Sequence, residues 1–187
     1  MEANNADFDG GRSLRRWNRA LAVLAWLGIA WAMYVIGDEF VGPDFSIGFK
    51  TESGIKLLDA GDFTIIQRAI VVLISIPQIL CWIYCLWQIV KLSKQFSRGE
   101  ILSIGMVQCL EGFGFGLAAQ GVAEFVHAPI LAAYLLGIGK IDSVDGIWQL
   151  LIGGGVLTSM MAAVLLVVIT RILRIGIRFR EEAELTI

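Results

Sequence analysis

Four apolar runs constrain this chain more than any other feature. They fall at about 18–37, 64–91, 101–126 and 147–173. About 20 apolar residues in a helix cross a hydrocarbon core of about 30 Å, and lipid leaves every backbone polar group to be satisfied within the segment. Only 17% of the residues are charged and 57% are hydrophobic, where a soluble domain carries about a quarter charged. The expectation is a single all-α domain over 1–187, an integral membrane four-helix bundle. Cys81, Cys85 and Cys109 all lie inside apolar runs. That placement argues against a disulfide framework and for small buried hydrophobes.

Residues 1–11 are polar and are expected to be disordered. Arg12, Arg15, Arg16 and Arg19 precede the first run, which holds Trp26, Trp31 and Tyr34. A signal peptide has the same order, but this run is bulky and no convincing small-residue cleavage site follows, so an uncleaved helix is expected. The connection 37–63 carries six acids, so it belongs in water. Within it, Phe45 to Lys50 alternates apolar and polar residues and Thr51 to Gly54 supplies turn formers. This pattern suggests a small extracytoplasmic β-hairpin on the membrane surface.

Pro77 sits near the middle of the second run, where proline frees a carbonyl and kinks a helix. His127-Ala128-Pro129 ends or bends the third. Residues 130–138 are apolar but too short to span, and read as an extension, a re-entrant piece or an interfacial segment. After the fourth run, Arg171, Arg174, Arg178 and Arg180 repeat at helical spacing. They make 171–187 an amphipathic tail, closed by Glu181, Glu182 and Glu184.

Orientation follows from basic residues near helix ends. Eleven Lys and Arg flank one set of ends and four the other. The expectation is a multi-pass protein with both termini cytoplasmic and two loops outside.

Polar residues inside the runs are the candidate sites. Glu111 lies ten residues past Ile101, about 15 Å along a helix and so near the middle of the core. On the same reckoning Gln78, Thr158 and Ser159 join it in a midplane polar layer. A charge at that depth is costly and marks an ion, proton or ligand site. The other reading is a protonated Glu111 hydrogen-bonded to its neighbours as glue between helices, and the sequence favours it.

Gly105, Gly112 and Gly116, with Gly155 before Ser159, form small-residue stripes that let helices approach closely. Packing of the third helix on the fourth is the main expectation, and a homodimer seam the second. No strand precedes these glycines, so they are not a nucleotide-binding loop.

Glu124 and His127 match the Glu-x-x-His spacing of carboxylate metal sites. With one histidine in the chain, such a site would need another subunit. An outer-interface polar pair with no metal is expected instead. Arg15, Arg16, Arg174 and Arg178 face either anionic lipid heads or a cytoplasmic protein. No nucleophile-and-base arrangement is present. No enzyme activity, cofactor or direct nucleic-acid contact is therefore expected.

Phe96-Ser97-Arg98-Gly99-Glu100-Ile101-Leu102-Ser103, followed by Ile104-Gly105, and the ending Arg180-Glu181-Glu182-Ala183-Glu184-Leu185-Thr186-Ile187 carry a family resemblance. They resemble the YoaS-like family, small bacterial four-helix membrane proteins of unknown function. Leu102 stands where that family has Phe. The resemblance implies a bacterial inner-membrane protein, often associated with a small helix-turn-helix regulator, and supplies no catalytic residue. The leading expectation is a non-enzymatic sensor or accessory protein contacting a cytoplasmic partner. The alternative is a small channel or transporter subunit using the layer around Glu111.

Overall fold

The computed structural model describes residues 6–41, 46–51, 54–98, 103–141 and 154–185, with side chains described at 18–38, 58–59, 61–98, 103–141 (60 excepted) and 155–183. Four long helices dominate: α1 (Ala6–Val41), α2 (Ile65–Ser97), α3 (Ile104–Gly137) and α4 (Gly154–Leu185). Each contains a segment long and apolar enough to cross a membrane. Between α1 and α2, strands β1 (Ser46–Thr51) and β2 (Gly54–Asp59) pair antiparallel, with Ser46 opposite Asp59 and Thr51 opposite Gly54.

The helix ends have local causes. Thr64 caps α2 with a full capping box: its Oγ1 accepts from the Gln67 amide, and Gln67 Oε1 accepts from the Thr64 amide at 2.9 Å. Two orphan donors of the first turn are thereby satisfied. Ser103 caps α3 by accepting from Met106 N at 3.2 Å. The far end of α3 is set by Gly139, whose φ of +70° lets Gly139 N and Lys140 N turn back onto Leu136 O and Leu135 O. A left-handed glycine just past the last turn is a common way to satisfy free carbonyls.

Three expected boundaries are corrected, the first being α2, which runs on to Ser97 rather than ending at 91. Pro129 does not end α3, which runs on through 130–137 as a continuous extension. In lipid, neighbouring helices tolerate the bond a proline removes, and eight further residues, nearly all apolar, keep the helix favourable. Helix α1 begins at Ala6 rather than near residue 18. The expected start of the fourth helix, at 147, lies outside the described residues.

Packing follows sequence order. Substantial contacts join α1 to α2, α2 to α3 and α3 to α4, and contacts between other helix pairs are slight. Among the described residues, the four helices of the expected bundle pack as a row, each on its sequence neighbours. The reason lies in α3, which presents glycines on two faces. Gly105, Gly112 and Gly116 face Gln95, Gln88 and Cys85 of α2, while Gly114 and Gly121 face Leu166 and Met160 of α4. Small residues on both sides seat a neighbour on each.

Every neighbouring pair is antiparallel. Ser93 Oγ donates to Asn18 O at 2.8 Å, and Trp26 meets Trp87 edge-on at 5.9 Å. Along the α2–α3 seam, Gln95 meets Gly105 at one end and Ser75 meets His127 near the other. Arg19, Lys91, Lys94, Arg98, Arg171, Arg174 and Arg178 consequently gather at one end of the row. At the other end Leu58 of β2 packs with Phe63, Val71, Leu131, Leu135 and Ile141 in a buried cluster.

Large apolar side chains point outward along the row, among them Leu24, Trp31, Leu73, Val164 and Ile172. Polar residues Asn18, Gln88, Ser93, Gln120 and Thr170 are buried between helices. Lipid supplies no hydrophobic drive for helix association, so polar and small residues at the seams are what membrane packing calls for.

Candidate functional site

Glu111 does not join the polar layer expected of it. Its carboxylate accepts a charge-assisted hydrogen bond from Arg174 of α4. The depth reckoning fails because α3 is 34 residues long, from Ile104 to Gly137, and not confined to 101–126. Glu111 thus lies about 10 Å from the start of a helix about 50 Å long. It sits toward the basic end, where an arginine can reach it.

The residue at the midpoint of α3 is Gln120, which the sequence reading passed over. It is buried, and with its amide turned to match its neighbours it donates to Gln78 O at 2.8 Å and accepts from Trp82 Nε1 at 2.9 Å. The signal available in the sequence was an amide standing alone in apolar helix. Gln78 therefore does belong to a midplane contact, through its backbone carbonyl, but with Gln120 rather than Glu111. Ser159 packs against the Gly121 position, next to that contact, while Thr158 is exposed on α4.

Glu124 and His127 do not act as a pair. His127 Nε2 lies 3.1 Å from Ser75 Oγ on α2, and Ser75 in turn donates to Val71 O at 3.2 Å. Glu124 turns to α4, where its carboxylate sits in the space left by the missing side chain of Gly155. Three residues of helix separate two seams here, so nearly equal spacing on one helix leads to different partners.

The glycine stripe is also corrected. Gly105, Gly112 and Gly116 seat α2, not α4, and any side chain at Gly116 would stand 2.6 Å from Cys85 Sγ. Gly155 does belong to the α3–α4 seam. The three cysteines are free thiols, with Cys85 and Cys109 buried. No group of three or more His, Cys, Asp or Glu able to hold a metal occurs among the described residues.

At the basic end, α3 and α4 enclose a groove of about 250 Å³ lined by Ile104, Val107, Gln108, Arg174, Ile177 and Arg178, with Glu181 at its outer edge. Arg174 thus closes one side of the groove while holding Glu111. Arg178, expected at a lipid or partner surface, lines the same groove. Past it, Phe179 is 67% exposed and lies between Arg178 and Arg180. Arg15 and Arg16 lie in α1, but their side chains fall outside the description. Chemically the groove offers apolar walls, an amide, two guanidiniums and a carboxylate, which suits docking of a mixed-polarity segment.

No curated protein and no solved structure matches the chain significantly. A family model described as a protein of unknown function, DUF2975, matches residues 17–187. That stretch takes in all four membrane-length helices, the α2–α3 and α3–α4 seams and the basic groove, and the chain belongs to the DUF2975 family.

Proposed function

We propose that this protein is a non-enzymatic accessory or sensor protein of a bacterial inner membrane, with both termini cytoplasmic, that holds a cytoplasmic partner at the end of α4. The observation that carries the reading is Phe179: a large apolar side chain, exposed, flanked by Arg178 and Arg180, on helix continuing past the start of α3. An amphipathic helix that presents an aromatic side chain between cations suits a protein groove. The excess of basic residues at this end supports a cytoplasmic orientation, and leaves the β1–β2 hairpin outside. The YoaS-like resemblance supports a small cytoplasmic regulator as the partner.

The channel or transporter alternative has less support. It needs an acid open to an ion, whereas Glu111 is engaged by Arg174.

Affinity purification of the full chain from membranes should co-purify a defined cytosolic protein. Deleting residues 178–187, or making Phe179→Ser, should lose that protein while membrane insertion stays intact. An identical set of co-purified proteins for the wild type and both variants would sink the proposal.

A further inference from the structure

A second cavity at the basic end lies between α2 and α3, on an adjoining face of α3, and shares Gln108 with the groove. It measures about 390 Å³, and its lining includes Gln88, Lys91, Lys94, Gln95, Arg98 and Gln108. That volume falls in the range of about 300–1,000 Å³ typical of ligand pockets. The α2 residues follow helical spacing: Gln88, Lys91, Gln95 and Arg98 are separated by three, four and three positions. One face of α2 therefore turns a polar, cationic stripe toward α3.

The glycines of α3 create the room. Gly112 and Gly105 lie seven residues apart, as do Gln88 and Gln95. The Gln88 and Gln95 amide nitrogens would stand 2.8 Å and 2.9 Å from any side chain placed at Gly112 and Gly105. The two amides are thus seated directly against the α3 backbone.

Among the described residues, its lining brings three cations and no carboxylate. The acid nearest along α3, Glu111, is held by Arg174 on the α4 side. Like charges grouped on one helix repel each other. Two amides also line this space, and one of them has an unsatisfied atom. Gln88 is only 6% exposed and lines the cavity. Gln95 Oε1 is buried without a partner. Buried polar groups left unpaired are costly, and an amide can rotate to present its NH2 to an incoming oxygen.

We infer that this cavity is a binding site for a phosphate-bearing anion. Lys91, Lys94 and Arg98 supply the charge and Gln88 donates from the floor. Basic pockets between membrane helices at the headgroup level take phosphorylated lipid heads, and a soluble phosphate compound shares the same chemistry. The site goes beyond the partner-docking role proposed for α4 and takes its charges from α2.

The test uses the full chain in phosphatidylcholine nanodiscs. One arm titrates phosphatidylglycerol into the disc and the other adds inorganic phosphate and pyrophosphate. Thermal unfolding and retained lipid by native mass spectrometry are read in both. Lys91→Gln/Lys94→Gln/Arg98→Gln should weaken binding about a hundredfold, at about fivefold per basic group. The control Arg12→Gln/Arg19→Gln/Arg171→Gln removes as many charges elsewhere and should retain wild-type binding. Gln88→Leu keeps every charge and should weaken binding several-fold. A response to phosphatidylglycerol alone assigns the ligand to lipid, and a response to phosphate or pyrophosphate assigns it to a soluble compound. Equal loss in both triple variants, or no response of the wild type in either arm, would overturn the inference.

Discussion

At one end of the row, Leu58, Phe63, Val71, Leu131, Leu135 and Ile141 close over one another, and Leu135 retains no exposure at all. At the other, Gln88 and three cations stand around an open cavity, and Arg174 and Arg178 line a second. The same helices build both ends. The difference lies in what fills the space between them. At the hairpin end, β2 and the turn after α3 lay extra apolar side chains over α2 and α3. At the basic end nothing described covers the helices, and amides and glycines hold them together. One end is closed by hydrophobic burial. The other is left open to charged or polar groups.

The sharpest way to break that contrast is at Leu135. Leu135→Ala removes a fully buried side chain from the closed end and should cost about 3 kcal/mol. Thermal unfolding in detergent measures it, and a loss no larger than for an exposed leucine such as Leu157→Ala would mean that the closed end is not a packed core. Next comes the seam that joins the two ends. Gly116→Val forces new atoms against Cys85 and Tyr84, at 2.6 and 2.9 Å from its Cβ, and should cost about 1–3 kcal/mol by overpacking. The smallest effect is expected from the ion pair. Glu111 and Arg174 are 39% and 47% exposed, so a double-mutant cycle with Glu111→Gln and Arg174→Gln should give a coupling of about 0.5–1 kcal/mol. A coupling near zero would remove the pair as a link between α3 and α4.

The sequence made the four helices plain because long apolar runs admit few alternatives in lipid. It was less able to say where they stop. Proline is a strong stop in water and a weak one in a membrane, so Pro129 pointed to an end that Gly139 supplies. That error spread to the candidate site. Taking α3 to end near 126 put Glu111 at its middle, whereas ending it at Gly137 gives the middle to Gln120. The glycine spacing was legible, but its facing was not. Gly105, Gly112 and Gly116 share a stripe on any helix, and only rotation about the helix axis decides which neighbour meets it. A clue was present: Gln88 and Gln95 repeat at seven, matching Gly105 and Gly112. Residue pairs on different helices can be read together only once a register is known.

The row has a mechanical consequence. With contacts substantial only between sequence neighbours, the molecule behaves as a chain of three interfaces in series. Stability in such an array is close to a sum of neighbour terms. Among the described residues, a disturbance at α1 reaches α4 chiefly through the helices between them. That route passes through the α1–α2 contact at Trp26 and Trp87, then the amides and glycines between α2 and α3, then the seam that Glu111 and Arg174 share. The middle interface is the relay, so whatever fills the cavity between α2 and α3 sets how firmly the two halves of the molecule are geared together.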